Sequence, residues 1–421
     1  MSVTVGSSLA SQIGIVVVLA HAFGVKGMGE YGYHYAIASF FGLVSVFGFP
    51  IYLQRELSAR PSEFERIHSD ALSFKLLLDG VLLLLALLLP VVFELPNLTL
   101  FYLLYAARIT MAYNMFFLVE FRVISAFKIE SILTVAGNSL YFLLALLTAY
   151  LTSNLVFVAA SLLLAQLIVL IIVIARWRRS WNSPLLQFSL CRGYQTFRTN
   201  LPYALDQGLA EFLGHMIAFL IGFSLGESAL GIFQAGQRIA NGVLSFASIV
   251  MGAFISSLSG LWASNRILFR DESDRVSVIF GLMGLFSLCL FSYCGSFITE
   301  ILYTSEFSQL NELWPLFGGY VAVRFLASVP GILLTAAGMQ KIRVVVNVAS
   351  VVLILCFFNS IAGALGLVGV LLVLACSQLL ILLSYKICAH FFSVRSFLNR
   401  YDMSVYVLFV GVCLFRGLVL V

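Results

Sequence analysis

The chain has 421 residues, 61% of them hydrophobic and only 10% charged, with a formal net charge of +5 and a mean hydropathy of +1.04. A soluble domain is about 45–50% apolar and about 25% charged. These proportions place the chain in a lipid bilayer and exclude a soluble nucleic-acid-binding protein.

A spanning helix needs about 20 apolar residues, so a chain of this length with short loops has room for about twelve. Unbroken apolar runs such as 81–89 predict helices. Barrel strands would instead show segments of about 10 residues with alternating polarity. Seven cysteines form no Cys-x-x-Cys and no His-flanked cluster, which predicts small core hydrophobes and neither a disulfide framework nor a metal site.

In chain order, helix 1 is expected at about 3–23. The segment Ala20-His21-Ala22 looks like a signal-peptidase site, but residues 1–12 carry no Lys or Arg, so the basic region of a signal peptide is missing. Helix 2 is expected at about 31–52, helix 3 at 71–93, helix 4 at 98–119, helix 5 at 130–150 and helix 6 at 154–175. A polar connection from Arg176 to Thr199 follows. Helices 7 and 8 form a hairpin from Asn200 to about Trp262. Helices 9 to 12 are expected at about 276–299, 313–337, 344–362 and 367–389. The apolar stretch Ser404–Val421, with Arg416 inside it, reads either as a thirteenth helix or as an interfacial tail. The expected domains are a six-helix bundle at 1–175, a linker at 176–199, a second six-helix bundle at 200–392 and a tail at 393–421.

With the N-terminus in the cytoplasm, nearly every loop Lys and Arg falls on the inner side, Lys75 and Arg343 among them, and only Lys26 falls outside. Acidic residues are spread over both sides. A skew confined to basic residues is what the positive-inside rule requires. A multi-pass membrane protein with its N-terminus in the cytoplasm is therefore expected.

The hairpin carries Asp206, Glu211, His215 and Arg238 in an apolar body. A charge at mid-bilayer costs roughly 2.5–3.5 kcal/mol on insertion scales, so such groups are expected to face a protein interior or a watery cavity. Arg238 has Gln234, Asn241 and Ser245 at helical spacing on one face. This stripe reads either as a cavity wall that contacts an anionic head group or as one side of a salt bridge to Glu211. Arg108 in helix 4 and Arg324 in helix 10 lie at about the same expected depth. Each reads as a cavity cation, as a bridge to another helix, or as a snorkelling side chain. Glu211 and His215, four apart, read as a proton carrier or as a static hydrogen-bonded pair, with Asp206 in an inner vestibule. Arg55 at the end of helix 2 reads as a lipid-phosphate contact or as a gating residue. Proton or sodium coupling is thus open. No catalytic residue, metal site or resident cofactor is expected.

The chain reads as two halves. Gly27 to Tyr33 after helix 1 and Gly226 to Phe233 after helix 7 both show Gly-x4-Gly followed by an aromatic residue. SAFKIESILTVAGN at the helix 4–5 joint has a counterpart in TAAGMQKIRVVVN at the helix 10–11 joint. Six helices per half make the repeats parallel, an arrangement that transporters use to enclose a site near the midplane. The expected fold is an all-α polytopic bundle of two parallel six-helix repeats around a central cavity.

The segment HAFGVKGMGEYGYHYAIASFFGLVSVFGFPIYLQREL resembles the opening of the polysaccharide-transporter flippases. LGESALGIFQAGQRIANG is similar to that family's repeat of the theme, and LTAAGMQKIRVVVNVAS with GALGLVGV resembles its helix 10–12 region. The resemblance implies a MATE-like fold within the multidrug/oligosaccharidyl-lipid/polysaccharide (MOP) superfamily and, inside it, the Wzx-like O-antigen or capsule flippases. It implies movement of a polyprenyl-pyrophosphate-linked oligosaccharide across the membrane, and for such an anionic substrate the residues read above, Arg238, Arg108, Arg324, Gln234, Asn241 and Arg55, are the candidate contacts. Membrane lipids, a polysaccharide polymerase and a chain-length regulator are the expected partners. Two other functions compete: a cation-coupled drug antiporter of the same fold, which should carry carboxylates at mid-depth, and a membrane-embedded polymerase or glycosyltransferase, which should carry a sizeable outer loop with catalytic groups.

Overall fold

A computed structural model describes residues 2–92, 95–123, 126–180, 190–392 and 394. Every regular element among them is helical. The long helices are α1 (Ser2–Val46), α3 (Phe64–Val92), α4 (Leu98–Val123), α5 (Phe127–Leu151), α6 (Leu155–Ser180), α7 (Leu190–Leu225), α8 (Glu227–Ser264), α9 (Arg266–Leu302), α10 (Leu310–Ala336) and α11 (Gln340–Phe391). A short α2 (Phe49–Ala59) continues from α1. The stretch 404–421, with its open choice between helix and tail, lies outside the described residues.

Two of these helices are too long for one crossing. α1 has 45 residues and α11 has 52, or about 68 and 78 Å at 1.5 Å per residue, against a hydrocarbon core of about 30 Å. Each is broken by one glycine: Gly24 at φ 64°, ψ −168° and Gly366 at φ 58°, ψ −139°. That backbone region is essentially closed to residues with a Cβ. The expected helix pairs 1–2 and 11–12 therefore join through a glycine kink with no loop. Eight described helices are long and apolar enough to cross a membrane. With the two broken helices counted twice, and with α7 and α8 added for their 36 and 38 residues, the segments among the described residues number twelve.

The chain forms two compact units, Met1–Gly231 and Ile232–Val421. The division does not fall in the expected 176–199 linker, because α7 packs on α1, α2 and α3 of the first unit. In that unit one apolar cluster gathers Leu19, Phe101, Leu104, Val158 and Leu162, and another gathers Phe49, Leu53, Phe116, Phe121, Val173 and Trp177. In the second unit α10 packs between α9 and α11. There Trp314 stacks on Phe291 with centroids 5.2 Å apart and donates Nε1–H to Thr299 Oγ1 at 2.8 Å.

The structure corrects the register of the internal repeat. Gly24 and Gly226 are the two positive-φ glycines at the equivalent joints, and Gly29 and Gly231 each follow five residues later. A Cβ on Gly29 would land on the Glu227 carbonyl, and one on Gly231 would land on the Val25 carbonyl. These reciprocal contacts pair Gly24–Gly29 with Gly226–Gly231, not Gly27–Gly32. The glycines are spaced this way because two helix starts cross backbone to backbone.

Candidate functional site

Arg108 lies in the middle of α4, ten residues after Leu98, or about 15 Å along the axis. Its neighbour Tyr105, three residues earlier, is buried with its ring edge-on to Phe41 at 5.4 Å, while Arg108 itself is half-buried. Arg108 Nη1 donates to the Tyr35 hydroxyl at 3.3 Å and meets Met111 Sδ at the same distance. The guanidinium carbon stands 5.4 Å from the Tyr35 ring centroid, within cation–π range. Gly42 makes room for it, since a Cβ there would come within 3.1 Å of Arg108 Nε. Nε itself is buried and has no hydrogen-bond partner. Among the described side chains, no carboxylate pairs with Arg108.

Around this cation α1 and α7 build an aromatic wall. His215 stands edge-on to Tyr35 and to Phe40, both at 6.3 Å. Phe40 meets Phe212 at 5.4 Å, and Phe219 stacks on Tyr33 at 5.8 Å. The structure thus brings Arg108 and His215 to one wall of the first unit. The side chains of Asp206 and Glu211 lie outside the described residues, and with them the expected Glu211–His215 pair and the Glu211–Arg238 bridge.

In the second unit Arg324 stands on an exposed face of α10 and donates to the Tyr320 hydroxyl at 2.9 Å. It lies fourteen residues after Leu310, about 21 Å along the axis, because α10 begins a turn earlier than expected. No carboxylate pairs with it among the described side chains. Arg238 is half-buried near Tyr303, whose hydroxyl donates to the Ala235 carbonyl at 3.0 Å. Burial pushes the Tyr303 phenol above its usual range, and the nearby Arg238 charge opposes that shift. The stripe expected around Arg238 divides. Gln234 is buried, Asn241 is exposed, and Ser245 bonds to the Gly242 carbonyl of its own helix. Arg55 is exposed on α2, after the break that ends α1.

Sequence reading missed the buried ionic groups of the first unit. Lys75, counted with the inner-side loop residues although it falls inside the expected helix at 71–93, lies in α3. It is 0% exposed, donates to the Ser45 carbonyl at 2.9 Å and to Ser45 Oγ at 2.7 Å, and pairs with Asp79 at 3.2 Å. Its removal from the loops leaves the basic skew intact. Glu120, near the end of α4, takes His68 of α3 at 2.5 Å and the indole Nε1–H of Trp177 on α6. Trp177 falls in the expected polar connection, but α6 extends to Ser180 and buries it fully. Arg343, also assigned to a loop, stands in the first turn of α11 and donates to Thr335 Oγ1 at 2.5 Å. The i,i+4 spacing of Lys75 and Asp79 was visible in the sequence. The separation of fifty-two positions between His68 and Glu120 left no local signal.

The sequence matches the family described as polysaccharide biosynthesis protein over residues 1–262, which is more than half of the chain. The chain belongs to the polysaccharide biosynthesis protein family. No curated protein matches this sequence significantly. The fold is similar to those of solved MOP superfamily and flippase structures. A lipid II flippase, MurJ, in an inward closed conformation is 13% identical, with TM-score 0.73 over 97% of this chain and 91% of that one. An inward-facing multidrug resistance MATE transporter of the MOP superfamily is 12% identical, with TM-score 0.71 over 95% of both chains. A MOP superfamily transporter from Pyrococcus furiosus, described as having a binding pocket of reverse polarity, is 12% identical, with TM-score 0.62 over 96% of this chain and 94% of that one. At these identities the likeness shows the fold. This family member is a multi-pass, all-α membrane protein of two six-helix repeats.

Proposed function

We propose that this protein moves a polyprenyl-pyrophosphate-linked oligosaccharide from the inner to the outer leaflet of a bacterial plasma membrane by alternating access. The observation that carries this reading is the pair Arg108–Tyr35 and Arg324–Tyr320. The fourth helix of each repeat holds an arginine at mid-span, with a phenol and no described carboxylate beside it. A cation kept at that depth against its insertion cost calls for an anionic partner. Guanidinium binds phosphate oxygens through two parallel N–H bonds, and the tyrosines and the His215–Phe40 wall offer hydroxyl and ring surfaces to sugars. A drug or cation carrier of the same fold would want carboxylates where these arginines stand.

Arg238, Gln234, Asn241 and Arg55 are proposed as further substrate contacts, and Asp206, Glu211 and His215 as groups through which a proton or sodium gradient acts. The N-terminus is placed in the cytoplasm in this reading, and a polymerase and a chain-length regulator receive the product. Reconstitution in liposomes with a fluorescent or enzymatically accessible lipid-linked glycan tests it. Arg108→Ala and Arg324→Ala should each lower translocation at least tenfold while protein yield and melting temperature hold. Arg108→Lys should recover only part of the loss, because a point charge cannot bind two oxygens in parallel. Undiminished translocation in both alanine variants would refute the assignment.

A further inference from the structure

The first unit contains a buried device that the proposed substrate site does not use. α1 ends at Val46, and the chain turns through Phe47 at φ 39° and Gly48 at φ 68° before α2 begins at Phe49. Phe47 is the one non-glycine residue with positive φ among the described residues. A helix end strands its last carbonyls, and here two side chains from other helices take up carbonyls at the break. Lys75 Nζ of α3 donates to the Ser45 carbonyl at 2.9 Å, and Asn200 Nδ2 of α7 donates to the Phe47 carbonyl at 2.7 Å. A left-handed phenylalanine held from two sides is a strained joint kept in place by its neighbours.

Lys75 is itself held. It donates to the Ser45 carbonyl at 2.9 Å and to Ser45 Oγ at 2.7 Å, its ammonium is ion-paired with Asp79 at 3.2 Å, and it sits 4.4 Å from the Tyr113 ring centroid. Lys75 is 0% and Asp79 9% exposed. Among the described side chains, the titratable groups facing Asp79 are Lys75 of the same helix and Tyr105 and Tyr113 of α4. From α7 the described neighbours of this region are Asn200 and Phe197. Asp79 is thus the acid whose charge balances Lys75. A buried ammonium without a counter-charge is strongly unfavourable.

We infer that Lys75 and Asp79 form a proton-operated clasp on the break between α1 and α2. One proton converts the Asp79 carboxylate to a neutral acid. Lys75 keeps its own proton but loses its counter-charge, so its buried position on the Ser45 carbonyl becomes costly and it moves toward water. The carbonyl it releases frees the break to swing, and with it the span of α1 that carries Tyr35, Phe40 and Gly42 beside Arg108. Loss of the proton resets the clasp. This site is separate from the α7 groups, and its coupling to transport rests on the flippase reading above.

The test uses the full chain in liposomes, with two readouts. Infrared difference spectra on acidification should show a carboxylic-acid band in the wild type that is absent in Asp79→Asn and unchanged in His215→Gln. Glycan translocation driven by an imposed pH gradient should lose its gradient dependence in Asp79→Asn. The same loss is expected in Lys75→Met/Asp79→Met, which removes both charges and so avoids stranding either one in the core. A double variant that translocates with the wild-type response to the gradient would make the pair merely structural and overturn the clasp. So would an acid band that persists in Asp79→Asn. If the wild type shows the band but moves no glycan, the flippase reading fails and the protonation site stands. If glycan moves and no band appears, the clasp fails alone.

Discussion

Substitution of Glu120 tests how the inner layer of the first unit is held together. Its two carboxylate oxygens tie α3 through His68 Nδ1 and α6 through Trp177 Nε1, and His68 stacks on Trp177 with centroids 4.7 Å apart. All three side chains are essentially unexposed. His68 Nε2 is buried without a partner, which favours the tautomer with the proton on Nδ1, aimed at the carboxylate. Glu120→Ala strands both donors in an apolar cluster. Each of these neutral donors left unsatisfied costs about 1–3 kcal/mol, so the two together cost about 2–6 kcal/mol. Glu120→Gln keeps an acceptor for Trp177, but its amide N–H₂ faces His68 Nδ1. The imidazole must then carry its proton on Nε2, where nothing accepts it, at about 1–3 kcal/mol. The expected order of stability is wild type, then Gln, then Ala. Thermal inactivation half-lives in detergent measure it. A 3 kcal/mol loss expressed in the unfolding barrier shortens the half-life by at least about 100-fold, at tenfold per 1.36 kcal/mol. Trp177→Phe combined with Glu120→Ala should cost less than the sum of the two, with an interaction energy above about 0.5 kcal/mol. A Glu120→Ala protein as long-lived as the wild type, or strict additivity with Trp177→Phe, would refute the reasoning.

Gly231→Ala should abolish or severely reduce folded yield in fluorescence size-exclusion, because the new methyl falls on the Val25 backbone carbonyl, which cannot move aside as a side chain would. Gly366→Ala should destabilise by about 1–3 kcal/mol, visible as a lower melting temperature, because the backbone at φ 58° and ψ −139° leaves no room for a Cβ, while the space around the glycine is open.

Much of the architecture was readable from hydropathy alone. Apolar runs set the spans, and the requirement to satisfy every backbone group inside a bilayer makes each of them a helix. The glycine spacing announced a duplication, and Arg108 and Arg324 could be named as candidates because a mid-span charge is conspicuous against an apolar background. A hydropathy profile reads composition along a window, however, and cannot report that a glycine bends a helix while leaving no loop. It therefore puts loops at Gly24 and Gly366, while the repeat falls at Gly27 instead of Gly24 because Gly27–Gly32 and Gly24–Gly29 have the same Gly-x4-Gly spacing.

Partnership was decided by the tertiary structure. Lys75, four residues into the expected helix at 71–93, looks like a lysine at the membrane surface until α3 is seen to begin at Phe64 and the Ser45 carbonyl is found opposite it. Glu120 and Trp177 lie fifty-seven residues apart, and each is unremarkable beside the basic residues that follow it. The bilayer selects helices one at a time through the local cost of exposing polar backbone. Which buried charges meet depends on how those helices pack, and that is a long-range property with no period in the sequence.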